Sequence, residues 1–162
     1  METGEWKLRQ ERINLLSFLN RIARIYQEDA SVLKREFNSR IKIPPDIKIE
    51  ADSNLLNRAL ENLFNNALRF TRESDSIYLT AHLKNGEVLI SIEDTGPGLT
   101  EAEIKLIFEP FYRGTSSRRE QGFGLGLSIV KSIINAHGWE IKADSRPGDG
   151  TRFTPALISS AT

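Results

Sequence analysis

Apolar residues recur along this chain in two alternating rhythms. Leu15, Leu16, Phe18, Leu19, Ile22, Ile25 and Tyr26 return at helical spacing and predict a helix over about Asn14 to Ala30. Leu56, Leu60, Leu63 and Ala67 mark a second, central helix, with Asp52-Ser53 as its N-cap and its end near Phe70. The rhythm then changes to strict alternation, in Ile77, Leu79, Ala81 and Leu83 and again over Val88 to Ile92. Asn85-Gly86 between the two runs is a strong hairpin signal. A third helix opens near Gly124-Leu125-Gly126, carries Leu127, Val130, Ile133 and Ile134, and stops at Gly138.

Shorter elements fill the intervals. Strands are expected at 6–11 around Trp6 and Leu8, over Lys34 to Ile41, and over Ile47 to Ala51 after a Pro44-Pro45-Asp46 turn. Glu101 to Phe108 reads as a short helix capped by Thr100. Residues 109–123 carry no periodicity and read as a long polar loop, a mobile one because 114–121 hold no apolar anchor. Trp139 to Ala143 and Thr151 to Ile158 are the closing strands, joined by Arg146-Pro147-Gly148-Asp149-Gly150. Pro155 lacks a ladder N–H, which places it at a sheet edge or near its strand's end. Helices alternating with mostly antiparallel strands predict an α+β fold, a two-layer sandwich with a mixed sheet packed against helices.

Composition narrows the function classes. At 162 residues the chain is one domain, with its body over 6–158 between a leader of 1–5 and a tail of 159–162. Lys and Arg total 22 against 22 Asp and Glu, so there is no electrostatic case for a nucleic-acid or acidic-membrane partner. Cysteine is absent, which excludes disulfides and thiolate metal sites and is compatible with the cytosol. Two histidines argue against a histidine-based zinc centre. No apolar run approaches the roughly 20 residues that span a bilayer, and the start, Met1 to Lys7, lacks a signal-peptide core.

Four stretches carry candidate chemistry. On the central helix Asn62, Asn66, Arg69 and Phe70 share an arc of about 100 degrees beside the apolar stripe. Asparagine is a poor residue for a helix interior, so two on one seam point to a ligand, although a solvated face would look alike. Asp94 ends a strand ahead of Gly96 and Gly98; its carboxylate suits an exocyclic amine such as adenine's, and an ordinary glycine turn has the same spelling. Gly122, Gly124 and Gly126 lead into a helix start, where unpaired amides favour phosphate. Their spacing fits neither the dinucleotide-binding fingerprint nor the P-loop. Phe108 and Phe111 flank the start of the long loop, with Arg113 after them; Arg118 and Arg119 further on read as surface charge.

In this order the stretches resemble the catalytic and ATP-binding domain of bacterial sensor histidine kinases, a superfamily (GHKL, Bergerat fold) that includes DNA gyrase and MutL. Asn62 to Thr71 is similar to the family's N box, Asp94 to Leu99 to its G1 box, Phe108 to Arg113 to its F box and Gly122 to Leu127 to its G2 box. Gly148 to Thr151 is similar to its closing glycine turn. The resemblance implies ATP and Mg2+ as ligands. It implies that Asn66 coordinates magnesium with Asn62 beside it, and that Arg69 and Arg113 stand near the phosphates. Phe70 would pack on the nucleotide and Asp94 hold the adenine amine. Gly96, Gly98, Leu99, Phe108, Phe111, Gly122, Gly124, Leu125, Gly126, Leu127 and Thr151 would complete the pocket, Gly124 and Gly126 letting the lid pivot. It further implies a helical-hairpin dimerisation and phosphoacceptor domain and a response-regulator receiver as partners. The isolated domain would be a monomer, the full kinase a homodimer, and the location cytoplasmic without direct membrane contact.

Hydrolysing relatives carry a glutamate where this chain has Asn62; Glu61 is rotated away by about 100 degrees. That favours phosphoryl transfer over hydrolysis. Neither His82 nor His137 fits the acceptor pattern, so both read as structural, with His137 placed where a charge would favour the helix dipole. The chain therefore reads as a catalytic domain without its own acceptor. A nucleotide-binding interaction module without transfer activity and a serine kinase of the same superfamily are the competing readings.

Overall fold

The computed structural model describes residues 7–109 and 123–158, with side chains from Gly126 onward in the second span. The chain runs β1 (Glu11–Asn14), α1 (Leu15–Val32), β2 (Glu36–Lys42), β3 (Lys48–Ala51), α2 (Ser53–Phe70), β4 (Ser76–Lys84) and β5 (Glu87–Asp94). It continues through α3 (Glu101–Leu106), α4 (Phe123–Ala136), β6 (Glu140–Ser145) and β7 (Thr151–Ile158). Five strands form one sheet in the order β2-β4-β5-β7-β6, in which only β2–β4 is parallel. The expected mixed, mostly antiparallel sandwich is the fold found.

The three long helices bury most of the face their spacing predicts, though Ile25 of α1 is 51% exposed. Leu15, Leu19, Ile22 and Tyr26 of α1, Leu56, Leu60, Leu63 and Phe64 of α2, and Leu127, Val130 and Ile134 of α4 form one core. Against them lie alternate residues of the sheet: Ile77 and Leu79, Ile90 and Ile92, Phe153 and Leu157. Tyr26 stacks on Phe64 with ring centroids 4.1 Å apart, and Phe37 meets both rings edge-on.

Element ends follow their local chemistry. Asn14 caps α1 by accepting from Ser17 N–H, and Asp52 caps α2 by accepting from Leu55 N–H. Thr100 and Glu103 close a reciprocal capping box on α3, which ends two residues short of the expected Phe108. Asn85 and Gly86, both at positive φ, make the tight β4–β5 turn. Gly138, at φ 79, ends α4 as Trp139 N–H returns to Ile134 O.

Two expectations are corrected. The first strand is Glu11–Asn14, not 6–11, because its extent is set by pairing with β3, from Glu11↔Ala51 to Asn14↔Lys48; Trp6 lies outside the described residues. Pro155 sits inside β7, which is an interior strand. The β5–β7 ladder skips Ile90 and Ser91 opposite Pro155 and Thr154, and a Ser91–Thr154 hydroxyl contact of 3.1 Å bridges the gap.

Candidate nucleotide site

The site grows from three chain ends that meet. The first is the C-terminal half of α2. Asn66 lies buried among the apolar positions, Asn62 and Phe70 are half-buried one turn to either side, and Arg69 is exposed. The Nδ2 of Asn66 is inaccessible and has no hydrogen-bond partner among the described residues. Such an orphan costs about 1–3 kcal/mol, which a folded domain rarely carries without use. Turning the amide about its last bond presents oxygen in place of nitrogen, so this side chain fits an oxygen-seeking cation or a phosphate-bound water.

The second end is that of β5. Asp94 is 4% exposed. Gly96 N–H donates to its Oδ1 at 2.8 Å, and Thr151 N–H also donates to the carboxylate. Burial pushes this carboxyl from 3.8 up to about 6; the two N–H donors oppose the rise, and the neighbouring Asp75 and Glu93 add to it. A carboxylate held dry and aimed by backbone donors is a selective acceptor for an amine hydrogen.

The third end is the β6–β7 turn. Gly98, at φ 78, leaves no room for a Cβ against Arg146 O, and Gly150, at φ 79, leaves none against Asp94 O. Ser145 Oγ accepts from Leu99 N–H at 2.7 Å and donates to Gly150 O at 2.6 Å, locking the two turns together. Thr151 is buried and pairs with Asp94 across the strands. A Cβ on Gly96 would stand 2.5 Å from Phe70 O, so the Asp94 turn also presses on the end of α2.

The other expected residues lie on the F-box end and on α4. Phe108 meets Phe153 edge-on at 6.0 Å, and the Lys131 ammonium lies 5.5 Å from the Phe108 ring centre. Gly124, Leu125 and Gly126 lie within the first turn of α4, where backbone N–H groups lack intrahelical acceptors. Leu127 is fully buried in the core. Phe111, Arg113 and Gly122, with the loop thought mobile, lie outside the described residues.

Among the histidines, His82 is exposed on β4. His137 Nε2 accepts from Asp52 N–H at 3.1 Å, and its Nδ1 is 2.8 Å from Ile133 O. That ring bridges α4 to the start of α2, the structural role expected of it. Sequence reasoning missed Ser145 and Arg35, whose guanidinium meets the end of α2. No local signal marks a serine before a proline turn or an arginine at a strand's start.

Residues 51–159 match the family described as Histidine kinase-, DNA gyrase B-, and HSP90-like ATPase. The chain belongs to this family. It is 34% identical over 140 residues to the adaptive-response sensory kinase SasA of Crocosphaera subtropica, covering 84% of this chain and 37% of that one. The mycobacterial sensor histidine kinase MprB superposes with a TM-score of 0.80 at 27% identity, over 94% of this chain and all of that structure. Histidine kinase ThkA, solved in complex with the response regulator protein TrrA, superposes at 0.77 with 26% identity, over 93% of this chain and 42% of that one. The chain thus spans about a third of the curated relative, and its fold and motif order are those of the catalytic domains of two-component histidine kinases. Among the described residues, no helix is long and apolar enough to cross a membrane.

Proposed function

We propose that this domain binds magnesium-ATP and donates the γ-phosphoryl group to a histidine on a separate helical-hairpin domain, whose product serves a response regulator. The observation that carries the reading is the joint where Phe70 O, Gly96 and Asp94 meet, one helical turn from the unpartnered amide of Asn66.

Each residue has a distinct task. Asp94 accepts the adenine amine, and its ionised form is the one that does so. Gly96, Gly98 and Gly150 let the turns around Asp94 close on one another, since a Cβ at each would strike backbone, and Leu99, Phe70 and Phe108 supply apolar walls. Asn66, with Asn62 beside it, would hold the magnesium ion, which when bound neutralises phosphate charge. Arg69 is exposed at the mouth, where a guanidinium can meet phosphate; Arg113 is assigned the same task from the motif. The amides at the start of α4 are phosphate donors. In the transfer an imidazole nitrogen bonds to the γ-phosphorus while its bond to the bridging oxygen breaks, and ADP leaves with that electron pair. Asn62 offers no base for water, and Glu61 is exposed on another side of α2, which supports transfer over hydrolysis.

Titration with a non-hydrolysable ATP analogue, with and without magnesium, tests binding. Incubating the domain with its own hairpin and labelled ATP tests transfer. Acid-labile label on a hairpin histidine is expected. Acid-stable label would favour a serine kinase, and binding without any label an interaction module. The ThkA–TrrA complex supports a response regulator as partner; the hairpin partner, a homodimeric full kinase and a cytoplasmic site of action belong to the same reading.

A further inference from the structure

α2 ends without the usual turn. Thr71 follows it in extended backbone, at φ −106 and ψ 166, and no glycine stands there. The last carbonyls of a helix have no intrahelical donors and must be met from outside. Thr71 Oγ1 donates to Ala67 O at 2.8 Å. Further donors come from Arg35, between α1 and β2. Its Nη2 donates to Leu68 O at 3.0 Å and to Thr71 O, its Nε donates to Thr71 Oγ1 at 2.9 Å, and its Nη1 donates to Leu33 O at 2.8 Å. One planar cation therefore ties the end of α2 to the α1–β2 turn, where its charge also suits the negative end of the helix.

Arg35 is itself firmly placed. Its N–H donates to Ala30 O at 2.9 Å, and Lys34 before it adopts φ 63. The segment after Thr71 returns to the same turn, with Ser74 N–H donating to Lys34 O and Glu36 N–H donating to Asp75 O. Beyond the clasp stands Phe70, whose carbonyl limits Gly96, and Gly96 N–H in turn aims Asp94. The end of α2 and the carboxylate are thereby joined through the Gly96 turn.

We propose that Arg35 is a positioning residue for the nucleotide site: its clasp on Leu68 and Thr71 sets where the last turn of α2 rests against the Gly96 turn. The inference rests on the nucleotide reading above and extends it to a residue outside every motif. A plain helix cap would affect stability alone; a positioning residue affects affinity and the geometry of Gly96 as well.

The test compares Arg35→Gln, Arg35→Lys and Ile22→Val, the last a core change in α1 at a residue that makes none of the hydrogen bonds of the clasp. Calorimetry with a magnesium-bound ATP analogue is run at a temperature where all are folded, beside amide NMR of the nucleotide-free proteins. Arg35→Gln is expected to weaken binding about tenfold, as small displacements of a site do. Arg35→Lys should lose less, since it keeps the charge and part of the donor set, and Ile22→Val should bind as wild type. In the nucleotide-free protein Arg35→Gln should shift the Gly96 amide resonance, and Ile22→Val should not. Wild-type affinity in Arg35→Gln, or an equal loss in Ile22→Val, overturns the proposal. If the wild type binds no nucleotide, the functional reading fails, and an unmoved Gly96 resonance in Arg35→Gln would separately overturn the joint.

Discussion

Replacing Asp94 with asparagine should make the nucleotide-free domain more stable and the nucleotide complex weaker. The carboxyl moves from 3.8 to about 6 because it is buried. At about 1.4 kcal/mol per tenfold, that is roughly 3 kcal/mol separating its protonated and ionised forms within the fold. The folded value lies above the unfolded one, so the stability it contributes is fully present below pH 3.8 and is lost as pH rises through about 6. At pH 8 the wild type carries a buried charge that the amide does not, and the amide oxygen still accepts from Gly96 N–H. Urea denaturation of both proteins at pH 4, 6 and 8 reads the difference, since every other titrating group cancels. The two stabilities should lie close at pH 4. They should diverge by up to about 3 kcal/mol at pH 8 in favour of Asp94→Asn, a melting-point gain of roughly 6–12 °C for a chain of this size. Affinity for the ATP analogue should fall at least tenfold, because a charge-assisted hydrogen bond is worth about 1.5–3 kcal/mol and the amide can turn a donor toward the adenine amine. Parallel stability curves, with the variant weaker at every pH, would refute the claim that Asp94 is held ionised at the fold's expense.

Other outcomes follow from the same geometry. Wild-type nucleotide affinity should fall as pH drops below about 6, where a proton competes for Asp94, and the fall should be shallower in Asp94→Asn, which keeps only the titration of the nucleotide's own phosphates. Asn66→Ala should leave stability level or improve it, since it removes the orphaned amide, while magnesium should no longer enhance nucleotide binding in calorimetry. Tyr26→Phe should stabilise the domain by about 1 kcal/mol in urea denaturation, because the Tyr26 hydroxyl is buried without a partner among the described residues and burial, with Glu61 and Asp29 nearby, raises its pKa. Gly150→Ala should destabilise by about 2–4 kcal/mol in the same assay, through overlap with Asp94 O at a left-handed backbone position. Asp52→Ala should cost about 1 kcal/mol as a lost N-cap. Burial acts to raise the Asp52 carboxyl, but the N–H groups of Arg9, Leu55 and Asn54 outweigh it and hold it below 3.8. Its contribution is therefore present above pH 3.8 and fades in acid as pH falls through the lowered value.

The long elements could be read from the chain because their causes are local. Helical spacing in α1, α2 and α4, the caps at Asp52 and Thr100, Asn85-Gly86 and Gly138 each act over a few residues. The motif seams on α2 and after β5 were visible for the same reason: residues four apart on a helix share a face wherever that helix lies. β1 was misplaced because a four-residue strand has no period of its own, and its register belongs to β3. Pro155 was misjudged because strand order in a sheet is not a local property.

Sequence alone thus determined which side chains make up the proposed nucleotide site: an amide seam, one carboxylate and glycines at the turns. Tertiary structure decided their state. Only packing reveals that Asn66 is buried with its Nδ2 unpartnered among the described residues, that Asp94 is dry enough to hold its proton to about 6, and that Arg35, 33 positions before Leu68, clasps the end of α2. Burial and long-range hydrogen bonds depend on which distant segments the core draws together, and that is a property of the whole fold.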